Sequence, residues 1–325
     1  MEYVNVGRSG LTVSRVILGC MSYGAPQANG GGWTLGLDDA RPLFREAIEA
    51  GITTFDTANA YGGGSSEEIT GKLLGELAKR DEVVIATKVH FAMGPGPNGA
   101  GLSRGAIMTQ IDNSLRRLGT DYVDLYQIHR HDPRTPIEET MQALHDLVRA
   151  GKVRYIGASS MWTWQFVKAQ CLADLHGWTR FVSMQDQYNL IQREEEREMH
   201  PYCVEENIGV LPWSPLARGK LSRDWEASTA RGDVDTRAPV LYGQAVAADR
   251  KVAATVAEVA QEREVSRAQV ALAWMLHKPA VTAPIFGATK PGHIADAVAA
   301  TRLSLSDKEI ERLEADYVPH RPTGF

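Results

Sequence analysis

Between Val16 and Phe286 the chain alternates short β-rich apolar runs with longer amphipathic stretches, and that rhythm leaves few folds open to it. Counting Val16–Gly19 as the first, the runs fall at 52–56, 82–88, 121–128, 153–157, 181–185, 208–212 and 281–286, eight in all. Helices are expected between most of them, near 38–48, 66–79, 103–118, 136–150, 162–176, 194–207, 245–263 and 266–277. Strands that are apolar almost throughout must be covered on both faces, and intervening helices supply the cover, so the sheet is parallel. Eight such units favour a closed (β/α)8 TIM barrel over an open doubly wound sheet. No break in composition divides residues 1–325, which read as a single barrel domain. Ahead of the barrel, Tyr3–Val16 reads as a β-hairpin turning at Gly7-Arg8-Ser9-Gly10. Two extra C-terminal helices are expected near 291–300 and 306–315.

Charge narrows the partners. The formal net charge is -5 and basic residues are dispersed, which argues against a nucleic-acid partner or an anionic membrane surface. No apolar run approaches the ~18 residues of a bilayer span, and the opening MEYVNVGRSGLTVSRV lacks the layout of a signal peptide. Cys20, Cys171 and Cys203 are odd in number, far apart and without a Cys-x-x-Cys pair, which suits a reducing cytoplasm. The cluster Arg193 to Glu198 reads as a solvated helix face. A loose Gly-rich loop is expected over 24–36, and residues 218–243 read as a lid or binding loop.

In a barrel of this kind, chemistry sits at the carboxyl ends of the strands. Asp56, Lys88 and His129 end three successive runs, and Tyr61 follows in the loop after the first of them. Alone, each has an ordinary reading: a cap, a solvated amine, a satisfied core histidine, a packing phenol. Four such groups at one end of one barrel form a constellation suited to proton transfer. A neutral phenol is a proton donor, a neighbouring ammonium stabilises the phenolate, a carboxylate keeps that ammonium charged, and an imidazole can polarise a carbonyl oxygen. The set contains no reductant and no activated nucleophile. The spacing His129-x-His131 without a third ligand does not make a metal site.

Asp56-Thr57-Ala58-x-x-Tyr61, Ala86-Thr87-Lys88 and Gln127-Ile128-His129 together resemble the aldo-keto reductases. The resemblance runs from Leu18-Gly19-Cys20-Met21 through Gly157-Ala158-Ser159-Ser160, Gln185-x-x-Tyr188-Asn189-Leu190 and Trp213-Ser214-Pro215-Leu216 to the last helices. Within the superfamily, the bacterial branch resembling the potassium-channel-β-like reductases is the expected match. The resemblance implies a barrel that binds NADPH or NADP+ across its mouth without a Rossmann domain. It implies Tyr61 as general acid, Lys88 and Asp56 as the groups that tune it, and His129 as the group that orients the carbonyl. Gly62-Gly63-Gly64 is expected to form a flexible loop.

Cofactor contacts implied in the same way are Met21, Asp56 and Ser160, with Ser159 and Gln185 hydrogen-bonding the carboxamide and Trp213 stacked on the nicotinamide. Backbone groups of Ser214, Leu216 and Arg218 are implied at the pyrophosphate, where Arg218 and Lys220 add positive charge, and Pro215 is a further implied cofactor contact. Gly287, Thr289 and Lys290 would take the 2′-phosphate at a helix start, favouring NADPH over NADH, with His293 and Asp296 at the adenosine. Ser160, His293 and Ala297 depart from the residues usual there, which leaves room for some NADH use. Tyr23, Trp33, Tyr61 and His129 are the expected substrate pocket, with His131, Trp162 and Tyr242 as further candidates. The expected activity is reversible reduction of small-molecule aldehydes and ketones. Two alternatives stay open: a catalytically silent NADP(H)-sensing binding subunit, and a Schiff-base aldolase using Lys88.

Overall fold

The computed structural model describes residues 1–25, 32–96, 98–227, 229, 232 and 234–323. The Gly-rich loop expected over 24–36, the 218–243 segment and the tail each lie partly outside these residues.

Strands β1 (Tyr3–Asn5) and β2 (Thr12–Ser14) pair antiparallel, with Tyr3 opposite Ser14. The hairpin's Val6, Leu11 and Val13 pack on Ile17, Ala86, Leu125 and Ala283, so they close the barrel interior from the end where its strands begin. Then come β3 (Ile17–Gly19), α1 (Leu37–Glu49), β4 (Thr54–Asp56), α2 (Ser65–Leu77), β5 (Val84–Val89) and α3 (Arg104–Leu118). The middle comprises β6 (Val123–Ile128), α4 (Ile137–Arg149), β7 (Val153–Ser159), α5 (Thr163–His176), β8 (Phe181–Gln185) and α6 (Met199–Glu205). The chain finishes with β9 (Gly209–Val210), α7 (Ala238–Tyr242), α8 (Val246–Glu262), α9 (Arg267–His277), β10 (Ile285–Phe286), α10 (His293–Ala300) and α11 (Asp307–Glu314). All neighbouring barrel strands are parallel, in the order β10-β3-β4-β5-β6-β7-β8-β9. Parallel bridges Val210–Val281 and Trp213–Ile285 join the two ends and close the (β/α)8 barrel.

Strand alternation sorts the side chains. Phe55, Ile85, Val89, Tyr126 and Ile128 face out into the core beneath the helices. Their neighbours Asp56, Lys88 and Gln127 therefore face in, one layer above the apolar plug of Ala86 and Leu125.

Three details depart from the sequence expectations. The helix expected over 194–207 begins only at Met199, behind a 3-10 turn at Glu194–Glu196. Pro201 is the reason, since proline is tolerated only in a helix's first turn. The 193–198 cluster is also no solvated face: Tyr317 and the His320 N–H donate to Glu194 at 2.6 and 3.0 Å, while Arg193 pairs with Glu196 and Glu314. Those charges tie down the C-terminal tail. The run 281–286 forms a regular strand only at its last two residues, because Pro284 cannot donate to the ladder.

Helices α2 and α3 meet at a glycine. A Cβ on Gly71 would collide with the Leu118 carbonyl oxygen. In an open helix, Gly→Ala stabilises by up to ~1 kcal/mol. Here Gly71→Ala is expected to destabilise by about 1–3 kcal/mol, the usual cost of overpacking. A higher urea midpoint than the parent's would show the two helices are free to separate.

Candidate active site

Parallel register sets the polar floor of the barrel mouth: Asp56 lies opposite Ala86, and Lys88 opposite Gln127. Lys88 is fully buried, and its Nζ donates to Asp56 Oδ1 and, at 2.8 Å, to the Thr57 carbonyl. Burial alone would push this amine down, but the Asp56 carboxylate and the nearby Tyr61 oxygen outweigh it and hold Lys88 above its ordinary value. The second carboxylate oxygen, Oδ2, accepts from Gln127 Nε2 at 3.1 Å and from Gln185 Nε2 at 2.9 Å. Asp56 thus receives three donors from three different strands. Gln127 had no role expected of it, although its place two residues before His129 puts it on the same inward face.

Tyr61 reaches this floor from the turn after β4. Gly62, Gly63 and Gly64 all have positive φ, at 59°, 65° and 105°. What looked like a flexible loop is a left-handed reversal that only glycine takes readily, and it starts α2 directly behind the tyrosine. Ser66 anchors that helix by donating to the Cys20 carbonyl at 2.7 Å. The Tyr61 hydroxyl lies 3.4 Å from Lys88 Nζ.

His129 ends the inward series on β6, and its ring stands edge-on to Tyr61 at 5.6 Å and to Phe91 at 4.8 Å. Burial first, then the Lys88 and Arg130 charges, push the imidazole well below its ordinary range, so it is neutral at physiological pH. A neutral ring has a single N–H to give. Nδ1 is buried without a partner among the described residues.

Around this floor lie the residues expected to hold a dinucleotide. Ser159 and Gln185 are register partners at the ends of β7 and β8. Gln185 uses its amide nitrogen on Asp56 and on Gln127 Oε1 at 3.1 Å, which leaves its oxygen able to accept a hydrogen bond. Ser160, at φ 43°, accepts from the Trp213 indole at 3.1 Å and so fixes that ring's plane. Ser214, Ala217 and Arg218 all have positive φ, a local strain of the kind that collects at ligand sites. The N–H groups of Ser214, Leu216 and Arg218 find no partner in the rest of the described chain. Asn189 donates to the Ser214 carbonyl at 2.9 Å, and the Tyr242 and Ser214 hydroxyls are 3.0 Å apart, which holds the turn from below. Pro215 is buried, and Met21 is half-buried in the turn after β3.

Several expected contacts are already engaged. Arg218 pairs with Asp235, which compensates its charge, and Lys220 donates to the Trp225 carbonyl at 2.9 Å. Residues Gly287 to Lys290 form a loop rather than a helix start, since α10 begins at His293 behind Gly292. The Thr289 N–H donates to His293 Nδ1 at 3.3 Å, while Gly287 and Lys290 are exposed. Asp296 accepts from Gln269 at 2.7 Å. Tyr23 leaves the pocket altogether: it is fully buried against Phe44 and donates to the Ala288 carbonyl at 2.8 Å. Tyr242 is likewise buried, whereas Trp33 is half-buried in the segment leading to α1.

The family model for the aldo/keto reductase family matches residues 16–317. Versiconal hemiacetal acetate reductase of Aspergillus parasiticus is 45% identical over 98% of this chain and 98% of its own length. Two proteins named aldo-keto reductase, from Fusarium vanettenii and Metarhizium robertsii, are each 42% identical over 100% of this chain and 93% of theirs. These relatives are fungal and none is named a channel subunit, so they lend no support to the expected bacterial, channel-β-like branch. The chain belongs to the aldo/keto reductase family.

Proposed function

We propose that the whole chain, acting as one barrel domain, reduces aldehydes and ketones to alcohols with NADPH and runs the reverse oxidation with NADP+. The observation that carries this reading is a tyrosine oxygen 3.4 Å from a fully buried ammonium that is itself held by Asp56. The residues suit a dinucleotide. Gln185 presents an acceptor oxygen, Trp213 presents a ring fixed by Ser160, and the strained 214–218 turn offers unpartnered N–H groups to phosphate oxygens. When bound, the reduced nicotinamide supplies the hydride that the side chains lack.

Each side chain then has one task. Tyr61 Oη gives its proton to the carbonyl oxygen, and the Lys88 ammonium stabilises the phenolate left behind. Asp56 keeps that ammonium charged in a site where burial opposes it. Neutral His129 donates its one N–H to the carbonyl oxygen and fixes the substrate's orientation. An imine-forming lysine must lose its proton, and the Asp56 pairing acts against that, which disfavours the aldolase. Free thiols at all three cysteines fit a reducing compartment, and we place the protein in the cytoplasm.

The test is a carbonyl panel run with NADPH and NADH in parallel. NADPH is expected to be the better donor. Lys290→Ala should raise KM for NADPH about tenfold, the weight of a charge-assisted hydrogen bond, and leave NADH within about twofold. Tight NADP(H) binding without turnover of any panel member would instead favour the silent sensor.

A further inference from the structure

Four arginines drawn into the protein each hold a carboxylate: Arg80 on Asp124, Arg117 on Glu67, Arg193 on Glu196 and Arg218 on Asp235. Arg130 does not. Among the described residues no carboxylate lies within ion-pair distance of it, and its one hydrogen bond runs from Nη1 to the neighbouring His129 carbonyl at 2.5 Å. A guanidinium carries five N–H groups, so most of its donor capacity is unused.

Its position makes the vacancy informative. The Arg130 guanidinium carbon lies 5.8 Å from the Phe91 ring centre and 5.9 Å from that of Trp213. Phe91 also packs edge-on against His129, so the cation stands beside the catalytic floor. Burial lowers its pKa to about 10, which leaves it charged at neutral pH. Arg237, just before α7, lies close enough to repel Arg130 and makes no ion pair among the described residues. Two cations without an ion pair among the described residues thus repel one another on a chain of net charge -5. An uncompensated, partly buried charge is costly, and aromatic faces offset only part of that.

We propose that Arg130 determines substrate specificity: its guanidinium, seated between Phe91 and Trp213 beside Tyr61 and His129 without a carboxylate of its own, binds a carboxylate carried by the carbonyl substrate. The planar fork matches two carboxylate oxygens, and the flanking rings suit an aromatic body between acid and carbonyl. This inference rests on the carbonyl-reductase reading and adds the substrate class to it.

The experiment compares 4-formylbenzoate with its neutral methyl ester, using the full chain and NADPH. The parent should favour the acid, by a margin that shrinks with salt. Arg130→Gln should lower kcat/KM for the acid about 10–100-fold, mostly through KM, while lowering that of the ester by no more than about threefold. Arg130→Lys should recover part of the difference. Equal losses on acid and ester would overturn the proposal by making Arg130 a structural residue. A rise in KM for NADPH instead would assign Arg130 to the cofactor. No preference for the acid in the parent would also sink it. Benzoate binding, followed by tryptophan quenching in parent and Arg130→Gln, reads the same contact without turnover. Unchanged affinity overturns the proposal even if the reductase reading fails, and that reading fails separately if neither the acid nor the ester is reduced.

Discussion

Tyr61→Phe is expected to lower kcat by about a thousandfold on any aldehyde that the parent reduces, with KM for the aldehyde changed far less. The ring remains, so its edge contact with His129 at 5.6 Å is kept, and only the proton donor is lost. General-acid catalysis is worth about 10²–10⁴ in rate, which sets the scale. Lys88 cannot take over, because it is fully buried behind the tyrosine and tied to Asp56 and the Thr57 carbonyl. Steady-state loss of nicotinamide absorbance measures the effect. A variant within about tenfold of the parent would show that another group supplies the proton.

Asp56→Asn is expected to cost stability as well as rate. Three donors converge on this carboxylate, and an amide can meet only some of them before its own N–H groups face theirs. Losing one partner of a buried pair costs about 3–5 kcal/mol, which for a chain of this size is a fall in Tm of about 4–7 °C. The sign of the pH dependence separates this mechanism from simple misfit. In the parent, the folded Lys88 pKa is raised, so its contribution is fully present below the ordinary lysine value of about 10.4 and lost only above it. Without Asp56, burial dominates and pushes the folded pKa below the unfolded one, so the unfolded chain binds more protons. The deficit should therefore shrink as pH rises from about 7 towards 10. Urea unfolding across that window checks it, and a deficit constant with pH would mean that Lys88 charge is not the cause.

Much of the barrel was legible because strand signals are local. Runs such as Val84–Val89 and Val123–Ile128 carry their own alternation, and a polar residue ending such a run is visible without any partner. The inward placement of Lys88 follows from the outward placement of Ile85 and Val89. Other features depended on partners distant in the chain. Arg193 to Glu198 has the composition of a solvated face until Tyr317 and His320, more than a hundred residues away, come down on Glu194. Tyr23 looks like a pocket aromatic until the barrel closes Ala288 over it. The Arg218 side chain reads as a free positive charge until Asp235 pairs with it.

Residue order on its own settles the kind of elements, their succession and which groups end each strand, because propensity and periodicity act over a few neighbouring residues. Closure of the barrel decides which of those groups meet. It gives Asp56 its three donors, leaves Arg130 with none of the carboxylates its counterparts hold, and occupies Arg218 and Lys220. Hydrogen bonds and ion pairs act over a few ångströms, and separations of that size across a closed sheet belong to the folded chain alone.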